Sequence, residues 1–151
     1  MKSLLIYASQ HHGNTEKLVR YLAAQYDLTL VNAQETTQVD MEDYDLIGFA
    51  SGIDFGRLYP SVSALAEQLP SGKAVYVMYT CARDQERYGK EIQKLAEKKG
   101  SRYLGKYACK GYNTYGPWKM IGGMNKGHPD EKELQAACVF YEQMRSEAKN
   151  T

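Results

Sequence analysis

Between residues 9 and 15 the chain reads Ser9-Gln10-His11-His12-Gly13-Asn14-Thr15, short polar and hydroxyl residues around one glycine. The run lies between an apolar segment and a helical pattern, which gives it the chemistry to seat an anion. Small side chains let backbone N–H groups converge, and a helix start adds partial positive charge. It is not a Walker loop, because no Gly-Lys-Ser/Thr follows, and with one glycine it is not a GxGxxG fingerprint. A plain helix N-cap reads the same way. His11 and His12 bring titratable groups to the turn, although loop histidines ordinarily face solvent. Ser9 and His12 share the loop without a carboxylate to orient them, so no triad is formed and no residue is assigned a catalytic role.

Three further segments carry candidate chemistry. Ser51-Gly52-Ile53-Asp54-Phe55-Gly56-Arg57-Leu58-Tyr59 combines two glycines with two aromatics. The glycines permit close backbone approach and positive φ, and Phe55 and Tyr59 read as stacking side chains or as aromatics that finish the core. Thr80-Cys81-Ala82-Arg83-Asp84 contains no aromatic. Gly111 to His128 is a long stretch holding Tyr112, Tyr115 and Trp118 among repeated glycines. Patternless segments of that length are uncommon unless functional or disordered, and the aromatics argue against disorder. Tyr115 and Trp118 are candidates to cover a ligand, with partner docking and plain packing as rivals. Cys81, Cys109 and Cys138 show no CxxC pair, so neither a disulfide framework nor a metal site is expected. Cys81 and Cys109 fall near the ends of neighbouring predicted strands. There buried free thiols are the default reading and a redox pair is the alternative.

Those segments need a scaffold, and the rest of the chain supplies the pattern of one. Lys2–Ala8, Asp27–Asn32, Asp45–Ser51, Lys73–Thr80 and Arg102–Lys110 read as strands. Between and after them Leu18, Val19, Leu22, Ala23 and Tyr26, then Val62, Leu65, Ala66 and Leu69, then Tyr88, Ile92, Leu95 and Ala96, then Leu134, Ala137, Cys138, Tyr141 and Met144 recur at helical spacing. Pro129 is expected in the first turn of the last helix, with Asp130 and Glu131 opposing its dipole. Five strands alternating with four helices predict a single α/β domain over residues 1–151, built on a doubly wound parallel sheet. In such sheets ligands bind beyond the carboxyl ends of the strands, where the candidate segments fall. The 43% hydrophobic content suits a packed core, and a net charge of +1 gives no general pull toward nucleic acid or anionic membrane. No apolar run approaches the roughly 20 residues of a membrane span, and the N-terminus has no signal-peptide pattern, so a cytoplasmic monomer or weak dimer is expected.

The chain resembles the flavodoxin family. Gly13-Asn14-Thr15-Glu16-Lys17 is similar to the end of the loop with which flavodoxins grip the FMN phosphate, and Gly52 through Gly56 to the loop along their isoalloxazine. The resemblance follows nearly the whole chain in element order. It implies a flavodoxin-like five-stranded sheet of order 2-1-3-4-5 and FMN as cofactor. It also implies cofactor contacts from Ser9, Gln10, His11, His12, Gly13, Asn14 and Thr15, from Ser51, Gly52, Ile53, Phe55 and Gly56, and from Thr80, Cys81 and Ala82. Tyr115 and Trp118 are expected to compensate for the missing aromatic of the Thr80 loop. Implied with these is an electron carrier passing single electrons between redox partner proteins. A flavodoxin-like oxidoreductase, similar to quinone reductases or menaquinone-dependent protoporphyrinogen oxidases, is the rival, and a cofactor-free binding scaffold is the third reading. Here His11 and His12 replace the family's usual hydroxyl residues, and the near-neutral charge departs from its acidic habit.

Overall fold

Apolar side chains alternate sides along each strand, and that alternation sets the architecture. The computed structural model describes residues 1–10, 13–111 and 127–150. In β1 (Ser3–Tyr7), Leu4 and Ile6 enter one core while Leu5 and Tyr7 enter the other. Every residue of β1 is buried, as expected of a strand covered by helices on both faces. Along the chain follow α1 (Asn14–Gln25), β2 (Thr29–Asn32), β3 (Leu46–Asp54), β4 (Arg57–Leu58), α2 (Pro60–Ala66), β5 (Ala74–Cys81), α3 (Lys90–Lys98), β6 (Arg102–Lys110) and α4 (Glu131–Lys149).

The main sheet has the order β2-β1-β3-β5-β6, with all neighbours parallel. This is the predicted 2-1-3-4-5 order, with a two-residue ribbon, β4, added beside β3. One core packs Val62, Leu65 and Ala66 of α2 and Ile92 and Ala96 of α3 against Ile47, Phe49, Val75 and Val77. The other packs Leu18, Val19 and Leu22 of α1 and Leu134, Ala137, Tyr141 and Met144 of α4 against Leu5, Leu46, Tyr76 and Met78. No helix among the described residues is long and apolar enough to cross a membrane.

Two boundaries differ from the sequence reading in ways that bear on the site. The third strand does not end at Ser51: it continues to Asp54, turns at Phe55 and Gly56, and returns antiparallel through Arg57 and Leu58. A predicted loop is therefore a hairpin. The last helix begins at Glu131 with Asp130 as its N-cap, so Pro129 stands ahead of the helix instead of in its first turn. The capping carboxylate fixes the start where the proline was expected to.

Candidate functional site

Because β1, β3, β5 and β6 are parallel, their carboxyl ends share one rim. From β1 the chain moves outward to β2 and then back to β3, so the strand order reverses between β1 and β3. Such a switch point opens the crevice in which doubly wound sheets bind ligands.

The first station is the turn from β1 to α1. The Ala8 N–H donates to the Ala50 carbonyl at 3.1 Å, and the Ser9 N–H to Gln34 Oε1 at 3.2 Å, so the turn leaves the sheet between β2 and β3. Gly13 is the N-cap with φ 65°; nothing lies within 4 Å of where a Cβ would stand, so its backbone angle requires glycine and space does not. Ser9 Oγ accepts the Glu16 N–H at 3.0 Å across the first helical turn. Thr15 is turned inward. It is 1% exposed, and its hydroxyl pairs with that of Thr80, the penultimate residue of β5, at 3.0 Å. Those two hydroxyls bolt the turn to the sheet. Gln10 is exposed, and His11 and His12 lie outside the described residues.

The second station is the β3–β4 hairpin. At its base Ser51 is fully buried, its Oγ accepting the Tyr59 N–H at 2.8 Å and donating to the Gly52 carbonyl at 2.6 Å. The Tyr59 ring lies over Gly52 so closely that a Cβ there would sit 2.3 Å from the Tyr59 hydroxyl oxygen. Tyr59 is thus a core residue, at 5% exposure, the second of the two readings open for it. Ile53 pairs with Leu58 inside the ribbon. The tip is the opposite: Phe55 is 95% exposed with φ 51°, followed by Gly56 with φ 76°. Two consecutive positive φ values make a turn whose twist matches antiparallel strands, but its first position normally takes Asn, Asp or Gly. A phenylalanine there carries backbone strain of roughly 1–3 kcal/mol as well as a wetted ring, a combination found at ligand clamps.

The third station is the turn from β5 to α3. The Tyr79 hydroxyl donates to Asp84, Lys106 Nζ donates to the carbonyls of Glu86 and Tyr88 at 2.8 Å each, and Tyr88 packs edge-on to Tyr79 at 5.7 Å. The one aromatic of this turn is therefore used as an anchor. Arg57 and the Leu58 N–H both reach Glu91 of α3 at 2.9 Å, tying the hairpin to the helix. These tethers leave no mark in sequence, since each joins residues whose nearness only the fold creates. Cys81, Ala82, Arg83, Asp84, Lys110 and Glu133 line a cleft of about 430 Å³ between this turn and the end of β6.

Cys81 and Cys109 sit as unpaired, neutral thiols in this setting. In the β5–β6 register Cys109 faces Thr80 and Cys81 faces Lys110, and Cys109 lies in the α1/α4 core while Cys81 packs on the α2/α3 core. Opposite faces of a sheet cannot be bridged by a disulfide. Burial pushes the Cys81 thiol up to about 12, with Asp84 adding to it, and burial raises Cys109 as well, so neither is a thiolate near neutrality.

The fourth station is the start of α4. Glu133 N–H donates to Asp130 Oδ1 at 2.9 Å and Asp130 N–H to Glu133 Oε1 at 3.3 Å, a reciprocal capping box. Glu133 Oε2 also accepts the Lys110 N–H at 2.7 Å, and Lys17 Nζ reaches the Pro129 carbonyl at 2.6 Å. His128, Asp130 and Glu133 bring three potential ligand atoms within 4.8 Å of one another. Both carboxylates already cap the positive end of a helix, which is an unfavourable place for a cation. Tyr115 and Trp118 lie outside the described residues.

Comparison with known proteins agrees with this architecture. A flavodoxin-domain family model matches residues 4–147. A protein of Methanocaldococcus jannaschii, itself uncharacterized, is 36% identical over 143 residues, spanning 93% of this chain and 95% of the relative. Among solved structures, a flavodoxin from the domain Archaea superposes with a TM-score of 0.64 at 14% identity, covering 99% of this chain and all of that one. A flavoprotein from Lactobacillus acidophilus, solved in complex with FMN, superposes with a TM-score of 0.57 at 18% identity over 71% of this chain and 92% of that one.

Proposed function

Because the chain belongs to the flavodoxin family, we propose that it binds one FMN at the carboxyl rim and passes single electrons between redox partner proteins. FMN, when bound, supplies the one-electron chemistry, and the protein supplies position, burial and local charge. The turn from Ser9 to Thr15 holds the phosphate through backbone N–H groups and the α1 amino end, with His11 and His12 beside it. The ring lies between the hairpin, Ser51 to Gly56, and the Thr80–Ala82 turn. Tyr115 and Trp118 cover it from the following segment.

The observation that carries this reading is Phe55. A wetted ring on a strained backbone beside the switch point is a feature that a stacked ligand would put to use. Stacking a flavin there would dry its face and add roughly 0.5–1.5 kcal/mol beyond the area buried. Around it, the inward-facing Thr15, Ser51 and Tyr59 keep the rim rigid, and the neutral thiol of Cys81 offers no competing nucleophile. Purification followed by heat denaturation tests the reading. Yellow protein that releases FMN, and that rebinds FMN more tightly than riboflavin, is the expected result. Colourless protein that takes up neither would overturn it.

A further inference from the structure

The net charge of +1 hides a separation of charge across the sheet. Residues 27–54 carry seven carboxylates and no lysine or arginine, whereas residues 83–110 carry nine lysines and arginines against four carboxylates. The strand order sends most of these runs to opposite edges: β2 and its loops belong to the first, whose last charge, Asp54, sits on the central β3, and α3 and β6 belong to the second. Asp27, Glu35, Asp40, Glu42 and Asp43 are exposed on one side. On the other, Arg83, Arg87, Lys90, Lys94, Lys98 and Lys110 are exposed. Lys90, Lys94 and Lys98 recur every fourth residue, which places them in one stripe along α3.

The basic side is also a braced one. Of its carboxylates, Asp84 is held by the Tyr79 hydroxyl and Glu91 by Arg57 and the Leu58 N–H. Glu91 is thus neutralised locally by Arg57, and the nine lysines and arginines of this run still outnumber its four carboxylates, so its net charge is positive. Lys106 fixes the turn between β5 and α3 through two carbonyls, and the Arg87 guanidinium lies over the Tyr88 ring at 5.5 Å. Arg83, Arg87, Lys90 and Lys110 stand at the carboxyl rim, where β5 and β6 end and α3 begins.

We propose that this face, from Arg83 to Lys90 with Lys110, docks an acidic protein. The inference deepens the electron-carrier reading and rests on it for the partner's redox role. An electron carrier exchanges charge through its exposed flavin edge, so its partner must sit on the rim, and the rim presents Arg83, Arg87 and Lys90 at the start of α3, with Lys110 marking their border with the carboxylates of α4. Complementary charge steers such encounters and sets their orientation. A nucleic-acid backbone is a poorer match, because Glu86 and Glu97 interrupt the basic face and would oppose a continuous phosphate track. A second copy of the chain could offer its own acidic edge, and the titration separates that case as self-association without ferredoxin.

Fluorescence anisotropy tests this, titrating labelled probes with the apo and the FMN-loaded protein at low and at high salt. The probes are a strongly acidic ferredoxin, a strongly basic cytochrome c and a DNA duplex. The expected result is ferredoxin binding that is lost at high salt. The combined Arg83→Glu, Arg87→Glu and Lys90→Glu variant should weaken it about tenfold or more, while Asp40→Lys with Glu42→Lys and Asp43→Lys leaves it within about twofold. Arg83→Lys, which keeps the charge, should bind as the parent does, separating charge from folding. Preference for cytochrome c or DNA, equal loss from both sets of reversals, or salt-sensitive self-association in place of ferredoxin binding would overturn the proposal. The readout needs no flavin: protein that binds ferredoxin but takes up no FMN would refute the cofactor reading and leave the docking face standing.

Discussion

Helices α1 and α4 both begin on the carboxyl rim, and the chain finishes them by opposite means. Asp130 and Glu133 exchange capping bonds at the start of α4, and Glu131 adds a third carboxylate to that first turn. At α1 the capping position is a glycine in the left-handed region with no side-chain cap, and the acid of its first turn, Glu16, is paired with Arg20 at 2.9 Å. Ser9 takes one N–H, that of Glu16, from outside the helix. The α4 end is filled by the chain's own negative charge and serves the fold, joined as it is to Lys110 of β6 and Lys17 of α1. The α1 end carries its positive field toward the turn that leads into it. One rim thus holds a neutralised helix end and a receptive one, and the receptive one sits beside the switch point.

The most direct way to break that contrast is to make α1 resemble α4. Gly13→Asp puts a carboxylate at the receptive end, and aspartate tolerates the positive φ better than most residues. FMN affinity should fall about thirtyfold, roughly 2 kcal/mol, while riboflavin, which lacks the phosphate, changes little. Isothermal titration with the two ligands measures the difference. Equal losses would mean that this helix end does not hold the phosphate.

A smaller effect is expected where the sequence points to a ligand and the structure has a bolt. Thr15→Val keeps the volume but leaves the Thr80 hydroxyl buried without its partner, at a cost of about 1–2 kcal/mol in urea unfolding. Replacing both threonines by valine should restore most of that loss, because neither hydroxyl is then stranded. If the single and double variants unfold alike, the pair contributes nothing and Thr15 is available to a ligand.

The strands were legible because their patterns are local. Lys2–Ala8 is a continuous apolar run, and Arg102–Lys110 was delimited to the residue. The capping box is also written in the chain, as Asp130 with Glu133 three residues on, but Pro129, a residue type that favours the first helical turn, signals a start ahead of it. The hairpin was not legible, since phenylalanine is no signal for a turn of two positive φ values and the pairing of Tyr59 with Gly52 exists only once β3 has folded back. Thr15 and Thr80 are 65 residues apart, and nothing in either neighbourhood announces the other. What sequence reading loses at this rim is the direction in which side chains point. Ser51, Thr15 and Tyr59 have the residue types of a binding loop and the placement of its foundations.

The smallest expected effect separates the two helix ends by pH. The backbone N–H of Glu133 lowers the Asp130 carboxyl below its usual value, with His128 and Lys132 adding to the shift. A carboxyl depressed on folding stabilises the native state at pH above its unfolded value, about 3.9, and the contribution is lost as pH falls through the lower folded value. Asp130→Asn keeps a capping oxygen and removes the charge, so the parent should melt slightly above this variant at neutral pH. The gap should close on acidification below about pH 4. Ser9→Ala removes a neutral acceptor from α1, so its loss, about 1 kcal/mol, should hold across the same range. Thermal melts of the three proteins from neutral to acid pH make the comparison. A gap for Asp130→Asn that stays constant with pH would show that geometry, and not charge, finishes α4. The contrast between a neutralised helix end and a receptive one would then rest on Gly13 alone.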